Sequence, residues 1–279
     1  MKKKFIVFIL MVAAMAIFFY LQNNWLGVTK LELGFQNLPE EFDGFRIVQL
    51  SDLHGKWFGK NQKRLLAVLE KLKPDIIVAT GDLADSRHYD EEPALELVRK
   101  ASEIAPVYFV TGNHEAWSGK FSGMEQRLRA AGAIILRNTS WDIDSGGRKL
   151  YISGMDDPVS AGYAEDETGY VKKTLEDILT PIPQNSFKIL LSHRPEQFPQ
   201  YAGYGIDLVF SGHAHGGQFR LPFVGGLVAP DQGFFPKYTS GIYSDKGARM
   251  VVSRGLGNSI IPLRIFNRPE VVEVILDRR

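Results

Sequence analysis

The stretch 45-FRIVQLSDLHG-55 is the key to the fold. A short run rich in branched apolar residues stops at Ser51, and Asp52 and His54 follow at once. Such a run, closed by polar residues and glycine, reads as a β-strand. The arrangement returns along the chain. The run 75-DIIVAT-80 leads into Gly81-Asp82-Leu83-Ala84-Asp85, and 107-VYFVT-111 leads into Gly112-Asn113-His114-Glu115. The run 188-KILLSH-193 ends on His193, and 207-DLVFS-211 leads into Gly212-His213-Ala214-His215. A further strand is expected at 133-AIILRN-138.

Helical patterns lie between these runs. In 61-NQKRLLAVLEKLK-73 an apolar stripe is formed by Leu65, Leu66, Val68, Leu69 and Leu72, and Pro74 stops it. Segments 91–104, 124–132 and 168–179 read the same way. Strands alternating with helices imply parallel strands joined by crossovers, an α/β layered fold. Two regions depart from that rhythm. Residues 139–153 read as a hairpin around Ser145-Gly146-Gly147, and 248–254 and 270–277 read as two consecutive strands at the tail.

With 279 residues, the chain is long enough for a substantial core without disulfides, and it has no cysteine. That removes thiolate ligands and cysteine nucleophiles. A formal net charge of +1 argues against nucleic acid as a partner, since such a protein normally carries a basic field. The amino terminus is distinctive. Lys2, Lys3 and Lys4 precede the unbroken apolar run 5-FIVFILMVAAMAIFFYL-21, which is near the lower limit for crossing a bilayer. Trp25 follows where an interfacial aromatic belongs. The only A-x-A triplet, Ala14-Met15-Ala16, lies inside the run, so an uncleaved signal anchor is expected rather than a cleaved leader. The lysines place the amino terminus in the cytoplasm and the remainder outside it, on a single-pass membrane protein. The expected domains are an anchor over 1–24, a tether over 25–44 and a catalytic domain over 45–279.

Every histidine except His88 falls at the carboxyl end of a strand, where open α/β sheets bind their ligands. Asp52, His54, Asp82, Asn113, His193, His213 and His215 offer imidazole, carboxylate and amide oxygen, donors suited to borderline and hard divalent ions. They are too many for one tetrahedral ion and suit two ions sharing a carboxylate. Each motif alone is a common turn sequence, but all of them in this order point to a site.

D-x-H, G-D, G-N-H-E, H and G-H-x-H, taken together over roughly residues 45 to 220, resemble the calcineurin-like metallophosphoesterase superfamily. The segments 154-GMDDP-158, 212-GHAHGGQFRLP-222 and 253-SRGLGNSIIPLRIFNRPEV-271 resemble its small bacterial membrane-anchored or exported branch. The resemblance implies a two-sheet β-sandwich flanked by helices. It implies that Asp52, His54 and His215 bind a first ion, that Asn113, His193 and His213 bind a second, and that Asp82 bridges them. It also implies that a water activated between the ions attacks phosphorus in line, while His114 serves the leaving oxygen. Asp85 is expected to orient His114 and hold it protonated. Arg194 offers either a phosphate contact or a surface ion pair. The metals are divalent, with Mn, Fe, Zn and Co all compatible with the donors.

The expected activity is hydrolysis of a phosphoester or pyrophosphate bond, on a lipid-linked or cell-envelope substrate given the anchor. Two other readings compete with it: a cyclic-nucleotide phosphodiesterase or nucleotidase, and a non-catalytic metal-binding scaffold on the same fold.

Overall fold

The computed structural model describes residues 2–258 and 261–279. After helix α1 (Lys2–Asn24) come strands β1 (Gly27–Gly34), β2 (Arg46–Leu50), β3 (Ile76–Thr80), β4 (Val107–Val110) and β5 (Ala133–Ile135). A hairpin of β6 (Thr139–Ser145) and β7 (Arg148–Gly154) follows, then β8 (Phe187–Leu191) and β9 (Leu208–Ser211). Four two-residue strands come next: β10 (Arg220–Leu221), β11 (Gly225–Gly226), β12 (Val228–Ala229) and β13 (Gly233–Phe234). The chain closes with β14 (Gly241–Asp245), β15 (Ala248–Val252) and β16 (Glu270–Asp277).

Two six-stranded sheets pack face to face, in the orders β1-β16-β2-β3-β4-β5 and β14-β15-β9-β8-β7-β6. Helices α2 (Lys63–Leu72) and α3 (Glu92–Ala101) cover the first sheet. A short helix, α4 (Asn113–Trp117), begins just beyond β4, and α5 (Phe121–Ala130) completes that cover. Helices α6 (Glu167–Leu179) and α7 (Phe198–Tyr201) cover the second sheet. The alternation of side chains along a strand sorts residues between layers. Ile77 and Ala79 of β3 face Leu65, Leu69 and Leu97, while Ile76 and Val78 join the inter-sheet core with Ile152, Phe187, Ile189 and Leu208. On the far side, Leu190, Val209 and Met250 pack on Val171, Leu175 and Tyr201. Strands buried on both faces need near-continuous apolar runs, and β3, β8 and β9 have them.

The expected tether is not one. Residues 27–34 form an edge strand, paired in parallel with β16 from Gly27 opposite Glu270 to Gly34 opposite Asp277. Leu33, Phe35, Leu38 and Phe42 are buried in the inter-sheet core. Only Trp25 and Leu26 separate α1 from β1. The tail strands are consecutive in sequence but lie in different sheets, because 253–269 crosses the end of the sandwich. Residues 220–234 fold into two small hairpins, β10–β11 and β12–β13. Strand β14 has no counterpart among the expected strands.

Strand direction sets which end is which. Strand β16 runs antiparallel to β2, and β1 runs parallel to β16, so the amino end of β1 sits at the carboxyl ends of β2, β3 and β4. In the second sheet β14 runs antiparallel to β15, itself parallel to β9. The excursion 212–240 therefore leaves and returns at that same end. Gln49 ties the sheets together beneath it, donating to Thr80 Oγ1 at 3.0 Å and to the Ser211 carbonyl at 2.8 Å.

Candidate metal centre

Five strand-end loops converge over Gln49. Asp52, His54, Asp82 and His215 gather into one buried group, and Asp82, His193 and His213 into a second that shares Asp82. His54 Nε2 lies 3.1 Å from His215 Nε2 and 3.7 Å from Asp82 Oδ2, and His215 Nε2 lies 3.3 Å from Asp52 Oδ1. In the second group His193 Nε2 lies 3.2 Å from Asp82 Oδ2, 3.2 Å from Asn113 Oδ1 and 3.1 Å from His213 Nδ1. All seven residues foreseen as metal ligands are brought together.

The donor set suits divalent cations. Asp52 Oδ2 and His215 Nδ1 are buried without a hydrogen-bond partner, a state that costs stability unless something fills it. Burial pushes His215 well down, with His54 adding to it, so its imidazole is neutral and carries a free lone pair. Burial also disfavours charge on His193, but Asp82 and Asp52 outweigh it and raise the group to about 10. Burial works to raise Asp82 as well, and His193, His114 and His54 hold it well below the usual carboxylate range. The pocket thus has a negative potential that attracts positive charge. The clustered Asp and His side chains form a divalent metal centre.

The backbone is bent to make it. Asp52, His54, Asp82, His213 and His215 all have positive φ, between 46° and 64°, in the left-handed region that side chains other than glycine rarely adopt. Such strain persists only where the surroundings over-determine it. Glu115 supplies part of that constraint. Its buried carboxylate accepts the backbone N–H groups of Asp82, Leu83 and Gly112 at 2.7 to 2.9 Å, pinning two metal loops to each other. Gly112 leaves room for this: a Cβ there would collide with the Asp82 carboxylate. Segment 253–267 braces the first loop, with Leu256 N–H donating to the Ser51 carbonyl and Asn267 Nδ2 to the His215 carbonyl. A Cβ on Gly255 would stand 2.8 Å from Asp52 Cβ. This packing accounts for the conspicuous sequence 253–271, of which Ser259 and Ile260 lie outside the described residues.

His114 stands beside the first group, its ring 4.5 Å from that of His54. Its Nδ1 accepts from the Ser86 N–H at 3.1 Å, which leaves the proton on Nε2. Burial lowers its pKa. The expected pairing with Asp85 is replaced. Asp85 Oδ2 is 3.6 Å from His114 Nδ1 but 3.4 Å from His54 Nδ1, and Asp85 Oδ1 accepts from the Arg87 and His88 amides. The amide of Ser86 occupies the position on His114 that the carboxylate was expected to take, and Asp85 stands slightly nearer His54. Arg194 neither faces phosphate nor lies on the surface. It is buried, donating to Asp157 at 2.6 Å and to Asp231 at 2.5 Å. Asp231, which sequence reasoning missed, also lies 2.8 Å from His213 Nε2. With Nδ1 turned to the second group, His213 is held by a carboxylate behind it.

A cleft of about 360 Å³ opens on this cluster, lined by His54, Lys56, Asp85, Arg87, His114 and Asn258. A larger concavity of about 590 Å³ lies at the far end of the sandwich, around Gln36–Glu41 and Arg148, away from the clustered imidazoles.

A two-sheet sandwich that gathers aspartates, histidines and an asparagine over the carboxyl ends of its strands defines a metal-dependent phosphoric ester hydrolase. The chain belongs to the calcineurin-like phosphoesterase family, whose pattern it matches over residues 45–217. It is 31% identical to an Aquifex aeolicus metallophosphoesterase, over 92% of this chain and 94% of that one. It is 30% identical to the Bacillus subtilis metallophosphoesterase YkuE, over 90% of this chain and 86% of that one. A zebrafish transmembrane protein with a metallophosphoesterase domain is 32% identical over 89% of this chain, which spans 57% of that protein. Among solved structures, TT1561 of Thermus thermophilus shares the fold, with a TM-score of 0.50 at 14% identity, covering 76% of this chain and 90% of that one.

Proposed function

We propose that the chain is a membrane-anchored hydrolase that cleaves a phosphoester or pyrophosphate bond of a lipid-linked or envelope substrate at the bilayer surface. The observation that carries this reading is a contact. Lys56, two residues after His54 and on the wall of the cleft, donates to the Asn23 carbonyl in the last turn of α1. Helix α1 is long and apolar enough to cross a membrane, with mean hydropathy 2.5 and none of its apolar stretch buried against the protein. Its exit point lies at the site end of the sandwich, which supports a cleft facing the headgroups. In this reading α1 is the anchor, residues 27–279 form the catalytic domain, and the lysines at 2–4 put that domain outside the cytoplasm.

Asp52, His54 and His215 would hold one ion, and Asn113, His193 and His213 the other, with Asp82 between them. Mn, Fe, Zn or Co ions suit these donors, and when bound they supply an activated water and neutralise the phosphoryl oxygens. The protein residues do the rest. His114 presents Nε2–H into the cleft to donate to the leaving oxygen. Asp85 orients His54, Asp231 orients His213, and Arg87 brings positive charge to the cleft wall.

The test is the full chain in Mn²⁺-containing vesicles, assayed on an amphiphilic phosphodiester embedded in the bilayer and on a soluble cyclic nucleotide. Preference for the embedded substrate is expected. Equal or greater turnover of the nucleotide would replace this substrate class, and two bound ions with no turnover of either would favour a scaffold.

A further inference from the structure

The exposed aromatic residues of the 220–235 excursion have no role in the metal centre. Phe223 stands fully exposed at the tip of the β10–β11 hairpin with Val224 exposed next to it, and Phe234 and Phe235 are exposed at the end of the β12–β13 hairpin. Leu221, Ile261, Phe266 and Trp25 add to the exposed apolar surface. Large contiguous apolar patches on a folded domain mark sites of contact with protein or lipid.

Three observations favour lipid. First, the excursion leaves β9 and returns to β14 at the sandwich end where α1 enters β1. Second, the base of the excursion is linked to the helix. The Phe219 backbone bridges to Ile265, and the next residue, Phe266, packs edge-on against Phe18 of α1 with ring centres 5.7 Å apart. Third, cations stand at the same level. Lys56 and Arg64 donate to the Asn23 and Asn24 carbonyls, and Arg268 lies 5.1 Å from the Trp25 ring. Aromatic rings with basic groups at the end of an apolar helix are the composition of a membrane–water interface.

We infer that the β10–β13 excursion inserts Phe223, Phe234 and Phe235 into the interface of the bilayer that α1 enters, giving the domain a second membrane contact. The inference rests on the reading of α1 as a membrane helix and not on the identity of the substrate. Docking also bears on the site, because Asp231, between β12 and β13, is the residue that holds His213. A domain held at two points, α1 and the hairpin tips, has its cleft fixed against the lipid surface.

The chain has no cysteine, so single labels are unambiguous. Phe223→Cys, Phe234→Cys and, at the far end, Glu40→Cys are each labelled with a fluorophore on the full chain in vesicles carrying brominated lipids. Quenching at 223 and 234 but not at 40 is expected. Labels at 223 and 234 that iodide in the water phase reaches as easily as at 40, on vesicle-bound protein, would overturn the inference. So would labels shielded from both quenchers, which would indicate a protein partner. A chain that does not partition into vesicles would remove the anchor itself. In a second measurement, Phe223→Asp combined with Phe234→Asp is expected to lower turnover of a vesicle-borne phosphodiester by about tenfold or more, since withdrawing a single aromatic from an apolar phase costs about that factor. Turnover of soluble bis-p-nitrophenyl phosphate should stay unchanged. An equal loss on both substrates would point to damage at the site and against docking.

Discussion

His193 Nδ1 lies 2.7 Å from the carbonyl oxygen of Thr80, at the end of β3. That bond fixes a proton on Nδ1 and turns Nε2 toward Asp82, Asn113 and His213. The position is therefore set by the strand below it. With a second ion held by Asn113, His193 and His213 as proposed, His193→Ala is expected to remove it, and metal analysis of the purified protein should show roughly half the wild-type content. Activity should fall by at least about 100-fold, the scale on which single electrostatic groups act in a preorganised site.

His114 is expected to act on the leaving group and not on metal content. His114→Ala should retain wild-type metal while kcat falls by about 10²- to 10⁴-fold. The loss should be larger for an alkyl phosphodiester, whose leaving oxygen needs a proton, than for a p-nitrophenyl ester, whose leaving group departs without one. A uniform loss across leaving groups would remove His114 from proton transfer.

Asp231 lies outside every metal motif yet accepts from the back of His213. Asp231→Asn is expected to weaken metal affinity by about 10- to 100-fold, as outer-shell changes do. Excess metal should restore most activity at unchanged KM, which separates positioning from a contact to substrate.

Glu115 accepts hydrogen bonds from three backbone amides. Glu115→Ala would leave them buried and unpaired, at a cost of about 3 kcal/mol or more. Thermal unfolding should shift down by several degrees, with metal content falling as the two loops separate. Glu115→Gln keeps an acceptor oxygen and should lie between.

Chelation should destabilise the protein as well as silence it. Ions that bind only the folded state add about 4 kcal/mol at a thousandfold excess over Kd. Removing them also leaves Asp52 Oδ2 without a partner. A melting temperature unchanged by chelator, in a protein shown to have lost its metal, would contradict this account of the left-handed loops.

The sequence made the centre legible because each candidate ligand sits within four residues of a strand end, and strand ends converge. Asp52, His54, Asp82, Asn113, His193, His213 and His215 needed only local spacing and the direction of parallel strands. What escaped depends on partners distant along the chain. In 27-GVTKLELG-34 the alternation is weak and the partner strand is the last in the protein, so nothing local distinguishes an edge strand from a tether. Asp231 sits among glycines and prolines whose hairpins leave no periodic trace. Arg194 could be placed only once Asp157 and Asp231 were seen to surround it. Asp85 lies where its spacing puts it but does not pair with His114, because Ser86 supplies the competing amide.

The passage from Asn24 to Gly27 has no slack. An enzyme on a long leash sweeps a volume and can reach lipids on a facing membrane. In the membrane-anchored reading proposed above, an enzyme joined this tightly to its helix sweeps almost nothing, so a lipid-borne substrate would have to diffuse to it within the plane of the same leaflet. With such a substrate, saturation would follow its mole fraction among lipids, and diluting the vesicles at fixed lipid composition would leave the rate per molecule unchanged.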